Sequence, residues 1–256
     1  MYFRLWDFEL AWKPSERLRR KKVCFPAVRF QTGPGNAGKA AGQKMEDRDS
    51  GKTKIGIMGG TFDPIHYGHL ILAENACEQF GLEKVIFMPT GHAPHKSFAG
   101  DAMMRHRCEM VRLAIEDNPH FSLSLYETEQ AQTSYTYETL GKIRTEHPDE
   151  DLYFILGADS LSQFDTWRFP EVICREATIL AAVRDNLTER KVDEMIAALS
   201  DRYHASIYRL ETPNFNVSSE SIRERIRSGK TVRYLLPEKV ETYIKKEGLY
   251  RDGKER

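Results

Sequence analysis

An α/β fold with a doubly wound, mostly parallel sheet is predicted for this 256-residue chain, on three observations. Short apolar runs alternate with segments of helical spacing from Lys54 to Tyr250. Glycines or prolines punctuate the ends of the runs, as at Gly59-Gly60, Pro89 and Gly157. No internal repeat divides the alternation, so one domain accounts for it.

The elements follow in order. Ile55, Ile57 and Met58 form a first strand, starting near Lys54 and ending at Gly59-Gly60. A helix spans about Tyr67 to Phe80, with Leu70, Leu72, Ala73, Ala76 and Phe80 facing inward and Gly81 closing it in a left-handed conformation. Val85 to Met88 is the second strand. A helix capped at Asp101 carries Met103, Met104, Arg107, Met110, Val111 and Ala114 at roughly helical spacing, and Asn118-Pro119 stops it. Phe121 to Leu125 is a strand, and Thr133 or Ser134 opens a helix holding Leu140 and Ile143. Leu152 to Leu156 and Thr178 to Val183 are strongly apolar strands. A helix from Glu189 to Leu199, a strand from Ile207 to Leu210, and helices from Ser219 to Ser228 and Glu238 to Lys246 complete the series. The expectation is a single doubly wound, Rossmann-like domain with C-terminal helices.

Composition narrows the function class. No apolar run reaches the roughly 18–20 residues of a membrane span. The four cysteines are scattered with no C-x-x-C pair, which argues against a disulfide framework or zinc site and for a cytoplasmic protein. Equal numbers of basic and acidic residues, 38 each, hide an asymmetry. Residues 1–44 carry a net charge of +7 and the remainder −7. The basic cluster Arg17 to Lys22 and the Gly/Ala-rich stretch Thr32 to Gly42 read as an N-terminal extension, residues 1–50, ahead of a domain over 51–256. A secretory signal fits poorly because the basic residues follow the apolar ones. Asp7, Glu9 and Glu16 count against a transit peptide, and so short a cluster is weak support for a nucleic-acid or lipid-binding arm. The simplest alternative makes Met45 the start of the working protein. Neither a membrane nor nucleic acid is expected as a partner, and a homo-oligomer stays open.

In a doubly wound sheet, ligands bind where strands end and helices begin. The first such loop, residues 59–69, reads GGTFDPIHYGH. Gly59 and Gly60 let backbone approach a ligand, and the N–H groups there suit phosphate oxygens. His66 and His69 lie three apart at a helix start, sharing a face, with Gly68 leaving room beside them. Such imidazoles can donate to a phosphoryl group as charge builds. Alternatives are half of a metal site, although zincin pairs are spaced by four, or a histidine that caps the helix. The loop is neither a Walker A sequence nor G-x-G-x-x-G.

Extended by Leu70, this string resembles the signature of the H-x-G-H nucleotidyltransferase superfamily, and GGTFDPIHYGHL resembles the bacterial nicotinate-nucleotide adenylyltransferases in particular. Further resemblances run in order: PTGHAPHK at Pro89 to Lys96, with Ala93 in place of a proline; Ser134-Tyr135-Thr136; Gly157-Ala158-Asp159-Ser160; Trp167; Val217 to Arg223; and the ending from Leu236-Pro237 through Leu249-Tyr250. The likeness spans about residues 54–251. It implies adenylyl transfer from ATP to nicotinate mononucleotide, giving nicotinate adenine dinucleotide and pyrophosphate in NAD biosynthesis, with Mg²⁺ arriving on the ATP and no metal site in the protein. It also implies His66, His69 and Arg223 as catalytic residues. Gly59, Gly60, Thr61, Phe62, Lys96, Asp159, Ser218 and Ser219 would hold ATP, and Thr136 and a stacking Trp167 the mononucleotide. Trp167 read alone is a core aromatic and Asp159 a helix cap. Arg223, one turn into a helix, opposes the helix dipole, which an anionic ligand would explain. Glu220 stands where the family has Thr and is expected to face away from the phosphates. Related acceptors are nicotinamide mononucleotide, phosphopantetheine or a cytidylyl acceptor, and a non-catalytic nucleotide-binding regulator is the remote alternative.

Deletion of residues 1–44 is expected to leave ATP-dependent turnover within about 2-fold of the full chain, since terminal segments of this composition rarely belong to a core. Steady-state kinetics on the truncated protein checks this, and lost activity would assign the segment to the enzyme.

Overall fold

A computed structural model describes residues 51–91, 100–130, 133–182, 189–213 and 215–251. The expected extension over 1–50, Lys96 and Val183 lie outside the described residues. Among the described residues six strands form one sheet: β1 (Lys54–Gly60), β2 (Lys84–Pro89), β3 (Phe121–Leu123), β4 (Asp151–Gly157), β5 (Thr178–Ala182) and β6 (Ile207–Leu210). Their order is β3-β2-β1-β4-β5-β6, and every pair is parallel. This is the expected doubly wound arrangement. The chain runs outward from β1 to β3, then returns to place β4 beside β1. The strand order therefore reverses between β1 and β4, where adjacent loops diverge and leave a crevice.

Among the described residues eight helices accompany the sheet: α1 (Tyr67–Phe80), α2 (Gly100–Ile115), α3 (Thr136–Glu146), α4 (Ala158–Ser162), α5 (Pro170–Glu176), α6 (Glu189–Tyr203), α7 (Ser219–Arg227) and α8 (Glu238–Glu247). All of these elements belong to one compact unit, Asp49–Arg256. On one face Leu140 and Ile143 of α3, Ile173 of α5 and Val192 and Leu199 of α6 pack on Ile55, Ile57, Leu152, Phe154, Leu156 and Ile179. Burial on both faces is why the central strands read as unbroken apolar runs. Gly56 of β1 is there for close approach: a Cβ would come within 2.9 Å of Leu82 and Val85 side-chain atoms.

Most boundaries agree with the sequence pattern, and Gly81 closes α1 at φ 66° as expected. Leu70, expected to face inward, is only half-buried. Three other differences have local causes. Strand β3 stops at Leu123 because Leu125 starts a turn, its carbonyl accepting from Thr128 and Glu129. The α2 helix begins at Gly100, so Asp101 lies inside the helix rather than capping it. The short helices α4 and α5, with a 3₁₀ turn at Phe164–Thr166 between them, have no counterpart in the sequence pattern. Segments of five to seven residues carry too few turns to show a helical period. Pro170 at the first turn of α5, after Phe169 at φ 52°, is the one local signal.

Candidate active site

A cleft of about 750 Å³ opens at the carboxyl ends of β1 and β4. One wall is Met58 to Asp63 with His69, and the other is Phe154 to Gly157 with Asp159, Ser160 and Trp167. Ser219, Glu220 and Arg223 of α7 close it from above.

The loop between β1 and α1 is fixed through its carbonyls. Arg107 of α2, only 1% exposed, donates from Nη1 to Thr61 O at 2.6 Å and from Nη2 to Thr90 O at 2.8 Å. Burial pulls its pKa below the ordinary arginine value, opposed by the negative charge of Asp63 among its neighbours, yet a guanidinium stays charged at neutral pH. Thr90 N–H donates in turn to Gly60 O at 2.8 Å, tying the ends of β1 and β2 together. Ser219 Oγ donates to Pro64 O at 2.9 Å, and Arg223 Nη1 to Asp63 O at 2.6 Å. Four carbonyls of residues 60–64 are thereby held by neighbouring elements.

Phe62 sits in the left-handed region at φ 49° with its ring 2% exposed. Such a conformation costs on the order of 1–3 kcal/mol in a non-glycine residue, and packing of the ring offsets it. That ring meets His69 edge-on, centroids 5.0 Å apart, and a Cβ on Gly60 would stand 3.0 Å from it. His66 is the N-cap of α1 and 1% exposed, with its ring stacked on His69 at 3.8 Å. The backbone N–H of His66 donates to His69 Nδ1 at 3.2 Å. Accepting that hydrogen requires a bare Nδ1, so the neutral His69 ring carries its proton on Nε2.

The sequence-derived site residues thus separate by position. Gly59, Gly60, Thr61, Phe62, His69, Asp159, Trp167, Ser219 and Arg223 line the cleft. His66 lies behind His69. The Ser218 hydroxyl is committed to capping α7: it accepts from Ser221 N–H at 3.1 Å, while Ser221 Oγ accepts from Ser218 N–H at 3.2 Å. Asp159 is not the helix cap; Gly157 occupies that position, and Asp159 stands in the first turn of α4. Trp167 packs on Phe154 and Phe164 at 6.1 and 5.5 Å while also lining the cleft. Thr136 begins α3 outside the lining. Its neighbours meet the segment after Trp167, with Tyr137 edge-on to Phe169 at 4.9 Å and the Arg168 guanidinium 4.8 Å over Tyr135.

Glu220 corrects an expectation, for it lines the cleft instead of facing away. Residues 220 and 223 are three apart on one helix, so the turn that presents Arg223 presents Glu220 too. Arg107 and Tyr250 are the contributors that sequence reasoning misses. The available signal for Arg107 is a cation within the apolar repeat of α2, which marks a buried charge with a structural task.

A sequence model of the cytidylyltransferase-like family matches residues 57–225. A probable nicotinate-nucleotide adenylyltransferase of Lachnoclostridium phytofermentans is 44% identical over 197 residues, covering 77% of this chain and 98% of the relative. The chain belongs to the nicotinate-nucleotide adenylyltransferase family. A second relative of that name, from Moorella thermoacetica, is 42% identical over 77% of this chain and 92% of its own. In overall fold, the chain resembles Plasmodium falciparum nicotinic acid mononucleotide adenylyltransferase complexed with NaAD, with a TM-score of 0.63, 20% identity, and coverage of 77% and 97%.

Gly68 tests the imidazole stack. A Cβ there would lie 2.9 Å from His66 Cε1 and 3.0 Å from Nδ1. Glycine to alanine within a helix ordinarily stabilises by roughly 0.5–1 kcal/mol. Gly68→Ala is expected instead to lower adenylyl-transfer kcat by about 10-fold or more, because a shift of about 1 Å in a positioned group has that scale of cost. Kinetics and thermal melts check both quantities.

Proposed function

We propose that this cleft transfers the adenylyl group of ATP to nicotinate mononucleotide, forming nicotinate adenine dinucleotide and pyrophosphate in NAD biosynthesis. The carrying observation is His69, whose ring packs on Phe62 and His66 and whose Nδ1 accepts from His66 N–H, which leaves Nε2 to carry the proton of the neutral ring. A mononucleotide phosphate oxygen attacks the α-phosphorus of ATP in line. The new P–O bond forms as the α–β bridging bond breaks and pyrophosphate departs. The nucleophile is already an anion, so positioning and charge stabilisation suffice. Cys77 and Cys174 fit that account, since burial pushes both thiols up to about 11, far from a reactive thiolate.

His69 Nε2–H and the backbone N–H groups at Gly60 to Phe62 would donate to the phosphoryl oxygens as negative charge grows. His66 would act by holding the His69 ring, and Arg223 would meet the phosphates across the cleft. Gly59 gives the backbone its close approach, Ser219 and the α7 cap at Ser218 place Arg223, and Asp159 faces the adenosine side. Lys96 is a further candidate for anionic oxygens on sequence grounds. Trp167 would stack on the pyridine ring, with Thr136 beside it through the Tyr135 and Tyr137 contacts. Mg²⁺ would enter on the nucleotide and neutralise phosphate charge. Among the described residues no group of three or more His, Cys, Asp or Glu could hold a metal. The carboxylates at the cleft, Asp63, Asp159 and Glu220, come from three separate elements, which fits a cation carried mainly by phosphates and water. A cytoplasmic setting is supported by Cys77, Cys108 and Cys174 being free thiols.

A coupled assay offering ATP with either mononucleotide tests the reading. The nicotinate form is expected to be used at least about 10-fold better in kcat/KM, the scale of one lost polar contact. Equal or better use of nicotinamide mononucleotide would overturn the assigned specificity. His69→Ala should cut kcat about 10²–10³-fold, the usual loss for one positioned donor, while circular dichroism and Tm stay near wild type.

A further inference from the structure

A hydroxyl just beyond α8 reaches the loop between β1 and α1. Tyr250, just beyond α8, donates from Oη to Asp63 Oδ1 at 2.6 Å. The other carboxylate oxygen, Oδ2, faces Arg223 Nη1 at 3.7 Å, too long for a hydrogen bond. That same Nη1 instead donates to the neutral Asp63 carbonyl at 2.6 Å. Arg223 is therefore held by a main-chain dipole while its charge borders the cleft. A carboxylate already in loose ion-pair range at 3.7 Å could close on it as a bidentate pair, among the strongest contacts a guanidinium makes. Such a pair would compete with phosphate oxygens for the same N–H groups.

We propose that Tyr250 is a positioning residue for Arg223: its hydroxyl occupies Asp63 Oδ1 and keeps the carboxylate from closing on the guanidinium. The Arg223 charge then stays available to the nucleotide's phosphates. Burial, reinforced by the negative charge of Asp63, raises the phenol far above its ordinary range, so it remains a donor at every working pH. Arg107 assists by fixing the Thr61 carbonyl and with it the start of the loop that carries Asp63. The inference rests on the adenylyl-transfer reading in that it takes ATP phosphates as the ligand of Arg223.

The test is a double-mutant cycle on the full chain with Tyr250→Phe, Asp63→Asn and the pair combined. ATP dissociation constants come from titration calorimetry without mononucleotide, KM for ATP and kcat from the coupled assay, and Tm from thermal melts. Tyr250→Phe is expected to weaken ATP binding and raise its KM by about 10-fold, the worth of one hydrogen bond to a charged group. In the Asp63→Asn background the same change should cost less than about 2-fold, because an amide cannot form the competing ion pair. Asp63→Asn alone should tighten ATP binding, a readout that stands even where Tyr250→Phe fails to fold. Equal losses in both backgrounds, a drop in Tm with unchanged ATP affinity, or weaker ATP binding by Asp63→Asn would each overturn the proposal. A wild type that binds ATP yet turns over no nicotinate mononucleotide would remove the function reading alone. A failed cycle in an active wild type would remove only the role of Tyr250.

Discussion

A buried cation bonded to two main-chain carbonyls sets the shape of the site. Arg107 joins the loops that leave β1 and β2 through Thr61 O and Thr90 O. An arginine at 1% exposure is costly to bury. Its cost is offset by charge-assisted hydrogen bonds worth roughly 1.5–3 kcal/mol each. What the fold gains is a loop whose carbonyls are held by the protein. Ser219 and Arg223 hold two more, from the far end of the chain. The loop is consequently built from four separated parts of the sequence, and α7 is docked by the same contacts that complete the cleft.

Within that frame the two histidines take unequal parts. His66 is enclosed, and His69 stands at the surface of the cleft with its ring orientation set by Phe62 on one side and His66 on the other. The bond from His66 N–H to His69 Nδ1 selects a tautomer, which turns a titratable ring into an oriented donor. On the proposed reading, such a site would act through fixed dipoles and charges, which suits a reaction between two phosphate anions. The steric needs are met locally: Gly60 admits the Phe62 ring and Gly68 admits the His66 ring.

Much of this fold is legible in the residues alone. The six strands and the longer helices are readable because parallel strands buried on both faces give dense apolar runs, and long helices give several turns of period. The two short helices α4 and α5 are not, since a turn or two carries no period. Of the site, the glycines, both histidines and Arg223 are legible from the loop after β1 and the start of α7. Arg107 and Tyr250 escape assignment, because their partners lie 46 and 187 residues away in sequence. Glu220 is misplaced when charge repulsion alone is weighed, because the helix geometry it shares with Arg223 decides its face.

By itself, the sequence determined the alternation of elements, the glycine-lined loop, the spacing of the histidines and the likeness to one enzyme family. These are local properties, written in residues that are neighbours or one helical turn apart. Only the tertiary structure decided which histidine meets the cleft, that the Ser218 hydroxyl serves the α7 cap, and that Glu220 shares a wall with Arg223. It also decided that a buried arginine and a tyrosine beyond α8 contact the loop between β1 and α1. Those outcomes depend on which carbonyl or carboxylate lies within about 3 Å of a donor, a matter of how distant segments pack.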